Sequence, residues 1–204
     1  VQSVPGGEWK IAMMTNWSGS SYATTPVTGS DGFSPNPAPP AGAHVTTLPA
    51  EYAAYLQAIK DKGGAPDSTR LKPGFFTSGL ISDNYISPTD QQREGLRRQP
   101  VYTVDPSDPV WQFAGSDGST AVCGTVHYTD RITATTSPLV QSAGGSEFGD
   151  LLPAGIYSSV KITGLHQVCF EVYATAGQPV GVIGTWGDMV STTGAAIAAQ
   201  TQPN

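Results

Sequence analysis

The sequence predicts an α+β fold in which one main helix packs on a curved antiparallel sheet of about four strands. An N-terminal strand and an extended Pro-rich arm precede this unit. Three observations support the fold class: a helix-periodic stretch at residues 49–62, an Asp-Gly turn between two strand-like runs, and two long strand-like segments with one cysteine each. One helix followed by a run of strands is typical of an α+β domain with a single helical layer.

The first 47 residues divide into two segments. Apolar and polar residues alternate from Trp9 to Trp17, so we interpret residues 1–17 as an N-terminal strand. A strand that starts so early is also typical of the end of a preceding unit in a longer precursor. Residues 18–47 are rich in Pro, Gly, Ser and Thr without apolar periodicity, which predicts an extended arm or linker.

Two helices are predicted in the first half of the main domain, which we place at residues 48–190. The longer helix spans residues 49–62 and ends at Gly63, and its apolar positions repeat at helical spacing: Tyr52, Tyr55, Leu56 and Ile59. A shorter helix is predicted at residues 88–98, because Ser87 is a suitable N-cap and Pro88 suits the first helical position.

The second half of the domain is predicted to be a meander of strands. Asp117-Gly118 is a strong hairpin signal between strand-like runs at residues 110–114 and 120–133. After a loop at residues 134–155, further strands are predicted at residues 156–163, 167–175 and 180–190, with a bulge or bend at Gly164. Residues 191–204 are interpreted as a tail.

The two cysteines lie at the same phase of their strands, each on the less apolar face. If the strands are antiparallel neighbours with Cys123 opposite Cys169, two apolar rows fall together on the other face. The same register pairs Thr125 with Gln167 and Ala121 with Glu171. This pattern predicts a cross-strand disulfide and a location outside a reducing cytosol, and two unrelated buried thiols are the alternative.

Composition limits the partners that we expect. Only 13% of the residues are charged and the net charge is −6, so a nucleic acid partner is not expected. No run of about 18 apolar residues occurs, so no transmembrane segment is expected. Together with the disulfide, these observations favour an exported protein that is extracellular or attached to the cell surface.

The order of elements, with the hairpin sequence GSDGSTAVCGTVHYTDRITA, resembles the cystatin-like or nuclear-transport-factor-2-like cone fold. It also resembles C-terminal regions of actinobacterial secreted proteins and lipoproteins. The resemblance covers about residues 45–190 and implies a cone-like α+β domain in an exported bacterial protein. It implies no catalytic residue, because no family motif matches position by position.

We find no sequence motif for catalysis, a metal or a cofactor, and predict none of the three. In the disulfide register His166 lies opposite Val126, so His127 and His166 are on different faces. The alternative is a bulge at Gly164 that brings both histidines to one metal site with Asp130 or Glu171.

The sequence favours a non-catalytic extracellular interaction module that binds a protein partner, or its own copies, in a secreted or cell-surface assembly. Trp17, Tyr22 and Phe33 are the candidate interaction surface. The alternative is a domain that binds a small hydrophobic ligand between helix and sheet, and an enzyme acting on such a ligand is a further alternative. The polar groups of that pocket would be Tyr52, Tyr55, Tyr128 and Tyr173.

Overall fold

A computed structural model of the chain describes residues 16–17, 27, 29–30, 44–66, 69–82, 95–141, 151–175 and 177–197. Within these residues seven strands form one open sheet, in which β1, β7, β6, β4 and β2 are successive neighbours, β3 also pairs with β4, and β5 with β6. All strand pairs are antiparallel. The elements are β1 (Asn16–Trp17), α1 (Leu48–Lys62), α2 (Ser78–Ser82), β2 (Leu96–Thr103), β3 (Trp111–Ala114), β4 (Thr120–Ala134), β5 (Leu139–Gln141), β6 (Gly155–Val172) and β7 (Gly181–Ala196).

The predicted α+β class, the antiparallel sheet and the main helix are confirmed, with more strands than the sequence predicts. Helix α1 follows a 3₁₀ turn at Val45–Thr47, and it ends where Gly63 adopts a left-handed conformation with φ of 69°. Its apolar face packs on one face of the sheet, which we call the helix face. The core between them contains Leu48, Tyr52, Tyr55, Leu56, Ile59, Val122, Val126, Val168 and Phe170.

The register of β4 on β6 is the one that the sequence predicts. Cys123 pairs with Cys169, Thr125 with Gln167 and Ala121 with Glu171. Strand β6 runs without a break through Gly164, and the irregularity predicted there is a register shift between β6 and β7. Gly164 is required because a Cβ atom would lie 2.5 Å from the phenol ring of Tyr128 and 2.3 Å from the carbonyl oxygen of Asp188.

Two strands lie where the sequence predicts other structure. The predicted second helix at residues 88–98 is wrong at its end, since residues 96–98 begin β2, while residues 88–94 lie outside the described residues. Eight successive pairs join β2 to β4, and this tertiary pairing overrides the local helix signals. Strand β5 lies within the predicted loop at residues 134–155, because Val140 pairs with Ile156 of β6.

Strand β7 continues to Ala196, beyond residue 190, where the sequence predicts the start of a tail. Its last residues pair with β6, and the small side chains suit this position, since a Cβ atom on Gly194 would lie 2.3 Å from the ring of Tyr157. On its other edge β7 pairs with Asn16 and Trp17, so the described end of the N-terminal segment belongs to this sheet. Residues 1–15 lie outside the described residues.

A few positions of the predicted arm at residues 18–47 are described. The main-chain N–H of Val27 donates a hydrogen bond to the carbonyl of Ala114 at 2.8 Å, next to β3. The last residues of the arm form the 3₁₀ turn before α1, and Val45 is buried in the core. The end of the arm is therefore part of the packed domain.

Candidate functional site

The disulfide between Cys123 and Cys169 is present, as predicted, and both cysteines are buried. They lie on the sheet face opposite α1, which we call the disulfide face, beside Ala121, Ile183 and Phe113. Their Cα atoms are 4.1 Å apart. This spacing is typical of an antiparallel pair that exchanges no main-chain hydrogen bonds, whose Cα atoms lie about 4.5 Å apart, and not of a hydrogen-bonded pair at about 5.5 Å.

The pairing of the cysteines fixes the direction of the main-chain polar groups along β4. Because Cys123 exchanges no hydrogen bonds with β6, its N–H and C=O groups point to the other side, toward β3. Directions alternate along a strand, so the same groups of Thr125 and His127 also point away from β6. The hairpin agrees with this alternation, since the N–H of Gly115 donates to the carbonyl of Ser119 at 2.8 Å.

Thr125 lies at a gap in the sheet. Strand β2 ends where Thr103 pairs with His127, and β3 begins where Trp111 pairs with Cys123. The loop of residues 104–110 joins the two strands, and among the described residues no main-chain hydrogen bond links it to Thr125. The polar main chain of Thr125 therefore faces a position that no strand of the described residues occupies.

A cleft of about 240 Å³ opens at this gap, between the start of α1 and the loop of residues 104–110. The first turn of α1 comes close to the sheet there because Gly124 has no side chain, and a Cβ atom on it would lie 2.6 Å from Cγ of Pro49. The walls combine polar and apolar groups in nearly equal measure and include two carboxylates. The lining residues are Thr46, Pro49, Ala50, Val104, Asp105, Pro106, Asp108, Pro109, Val110 and Thr125.

An ion pair between Arg70 and Glu51 fixes the start of α1, which forms the helical wall of the cleft. Arg70 donates from Nε to Glu51 Oε2 at 2.7 Å, and its terminal nitrogen donates to the carbonyl of His44 at 2.7 Å. The hydroxyl of Thr47 donates to Glu51 Oε1 at 2.6 Å. Burial raises the pKa of Glu51, but the hydrogen bonds from Arg70 and Thr47 outweigh it, so the pKa lies below its ordinary value.

The loop wall carries the charge of the cleft. Asp105 accepts hydrogen bonds from the main-chain N–H of Ser107 at 2.8 Å and from its hydroxyl at 2.7 Å, and these bonds lower the pKa of Asp105. Asp108 Oδ2 lies 2.6 Å from His127 Nε2. Since His127 is two residues from Thr125 on one strand, this contact holds the loop against the disulfide face.

The predicted interaction residues are only partly described. Trp17 belongs to β1 and pairs with Gly184 of β7, whereas Tyr22 and Phe33 lie outside the described residues. An interaction surface at these three residues stays a prediction.

The four tyrosines predicted for a ligand pocket lie at different places, and none lines the cleft. Tyr52 and Tyr55 are buried in the core, and the hydroxyl of Tyr52 donates to the carbonyl of Phe76 at 3.0 Å. The ring of Tyr128 lies 4.9 Å from that of His166. Tyr173 is half-buried beyond the end of β6, and its hydrogen bond with Glu171, together with burial, raises its pKa to about 12.

The two histidines of the sheet lie on opposite faces, since His127 pairs with Leu165 and His166 with Val126. The described residues hold no group of three side chains suited to a metal ion. His166 is half-buried beside the ring of Tyr128, and this burial lowers its pKa.

The residues of the cleft are not among those predicted from the sequence. Their local signal is the run VDPSDPV at residues 104–110, in which two prolines and two aspartates interrupt strand-like segments. The run predicts a gap in the sheet only if β2 is recognised before it and β3 after it. The gap at Thr125 results from the end of β2 and the start of β3.

Comparison of the chain with family models, curated proteins and solved structures gives no match. Among the described helices, none has both the length and the apolar character needed to cross a membrane. The cleft is therefore interpreted from its own geometry.

Proposed function

We propose that this chain is an extracellular interaction module and that it binds an extended segment of a protein partner in the cleft at Thr125. One observation carries the proposal: β4 is paired with Trp111 on one side of Thr125 and with Thr103 on the other, but Thr125 itself has no strand partner there among the described residues. An extended segment that enters the gap would hydrogen-bond to this main chain, as in other cases of β-strand addition.

The size of the cleft favours a peptide segment over an enclosed small ligand. Its volume of about 240 Å³ lies below the range of roughly 300–1,000 Å³ that is typical of small-molecule pockets. The prolines of the walls suit an apolar side chain, and the main chain of Thr125, which pairs with no described strand on this side, suits a peptide backbone. Tyr52 and Tyr55, which the sequence predicts for a ligand pocket, instead pack in the core.

The disulfide supports the extracellular location, because bonds of this kind persist in oxidising compartments. The partner is a different protein in this proposal, and the binding of a second copy of the chain is a separate outcome that light scattering would detect as a dimer.

The proposal is tested by displaying random heptapeptides and selecting those that bind the immobilised protein. The variant Ala50→Trp places a large ring at the cleft, and the matched control Ala54→Trp places the same ring at another exposed position of α1. We expect enriched peptides to bind the wild type and Ala54→Trp equally, and to bind Ala50→Trp at least tenfold more weakly. Failure to enrich any peptide, or equal binding to all three proteins, would overturn the proposed function.

A further inference from the structure

We infer that the residue of the partner segment that pairs with Thr125 carries a Lys or Arg side chain. This inference rests on the proposed function. It follows from the direction of side chains in a paired strand and from the charges at the cleft.

The first step is the direction of the side chain. Residues that pair directly in an antiparallel sheet have their side chains on the same face. Thr125 is an even number of residues from Cys123 and His127, so its side chain and that of its new partner lie on the disulfide face. His127 holds Asp108 at 2.6 Å on this face. A side chain opposite Thr125 is therefore directed toward Asp108 and the loop that carries Asp105.

The second step is the charge that this side chain meets. Both charged residues that line the cleft are aspartates, and the hydrogen bonds from Ser107 stabilise the ionised form of Asp105. His127 contacts Asp108 and also interacts electrostatically with Asp105, while the guanidinium of Arg70 is already bound to Glu51. A cationic group gains from this arrangement, whereas an acidic side chain is repelled.

The third step is the fit of the rest of the side chain. Lys and Arg carry an apolar stem below a charged end, and such a stem can lie along apolar walls while the charge stays near water. The loop wall offers Pro106 and Pro109 in the same loop as the two carboxylates. The net charge of −6 also favours the approach of a basic segment.

The test compares three synthetic peptides built on a heptapeptide that the wild type enriches. Its central position carries lysine, norleucine or glutamate, and binding is measured by calorimetry at low salt. We expect the lysine peptide to bind about three- to fivefold more tightly than the norleucine peptide, the size expected for a solvent-exposed ion pair, and the glutamate peptide to bind most weakly.

Two double variants with the same change in net charge show whether the tighter binding of the lysine peptide depends on Asp105 and Asp108. In Asp105→Asn/Asp108→Asn the advantage of lysine should disappear, and in Asp61→Asn/Asp188→Asn, which changes two exposed aspartates elsewhere, it should remain. Equal binding of the lysine and norleucine peptides to the wild type would overturn the inference, while discrimination by Ala50→Trp would still support the proposed function. If no peptide is enriched at all, both are overturned.

Discussion

Cys123 and Cys169 lie directly opposite each other on β4 and β6, with their Cα atoms 4.1 Å apart. The bridge joins two strands that also pair along most of their length. It lies on the face opposite the main core, and the same pairing directs the polar main chain of Thr125 toward the cleft. The disulfide therefore contributes to stability and also marks the orientation of the candidate site.

Replacing both cysteines by alanine should destabilise the fold without abolishing it. The cysteines are 46 residues apart in sequence, and in the chain-entropy model a loop of this length corresponds to about 4 kcal/mol. The core under α1 remains intact in the variant. Urea unfolding of the wild type and of Cys123→Ala/Cys169→Ala measures the difference, and an unchanged free energy of unfolding would contradict the prediction.

Gly124→Ala should destabilise the protein by about 1–3 kcal/mol, because the added methyl group would overlap Pro49 and force α1 away from the sheet. Gly64→Ala is a matched control, since a Cβ atom there has no neighbour within 4 Å. The control should lie within about 1 kcal/mol of the wild type. Thermal unfolding of both variants tests this, and equal melting temperatures would show that the helix does not press on Gly124.

Stability should fall on acidification because of His166. Burial lowers the pKa of His166 below its ordinary value of 6.5, so the folded state favours the neutral ring. The stability that the neutral ring of His166 contributes is fully present above pH 6.5 and is lost as the pH falls below it. For this one group the free energy of unfolding changes by at most about 1.4 kcal/mol per pH unit. Unfolding by urea at pH 7.5 and pH 5 should show a smaller loss for His166→Gln than for the wild type.

His44→Gln is the control for this experiment, because His44 is exposed and lies just before the 3₁₀ turn that precedes α1. It should lose as much stability between the two pH values as the wild type. The same loss in His166→Gln would contradict a folded state that favours the neutral ring of His166.

Asp130→Asn should destabilise the protein by about 1–3 kcal/mol. The carboxylate of Asp130 is buried and accepts hydrogen bonds from Arg98 Nε at 2.7 Å and from the main-chain N–H of Gln99 at 3.1 Å. Asparagine keeps the size of the side chain but removes the charge that pairs with Arg98. Chemical unfolding should show a smaller effect for Asp61→Asn, an exposed residue of α1, and equal effects would contradict a structural role for Asp130.

Local patterns explain why part of the fold could be predicted from the sequence. The apolar spacing from Tyr52 to Ile59 and the stop at Gly63 define α1, and both features are visible in a short window. The register of β4 on β6 follows from the phase of Cys123 and Cys169. In each case the residues that carry the signal also make the contact.

Strand β2 and the cleft depend on contacts between distant parts of the chain. Ser87 and Pro88 are local helix signals, but Arg98 instead pairs across the sheet with Ile132 and binds the buried Asp130. The cleft at Thr125 exists because β2 ends on one side of it and β3 begins on the other. A threonine at position 125 gives no sequence signal that a neighbouring strand is absent there among the described residues. The site could therefore be found only once the strand pairs were known.

Amide hydrogen exchange at Thr125, followed residue by residue by NMR, tests the central claim most directly. In the free protein the amide of Thr125 should exchange faster than those of Gly124 and Val126, whose N–H groups point toward β6. A saturating amount of an enriched heptapeptide should slow exchange at Thr125 at least tenfold in the wild type and leave it unchanged in Ala50→Trp. Equal protection of Thr125 and its two neighbours in the free protein, or exchange at Thr125 that a bound peptide does not slow, would contradict the account.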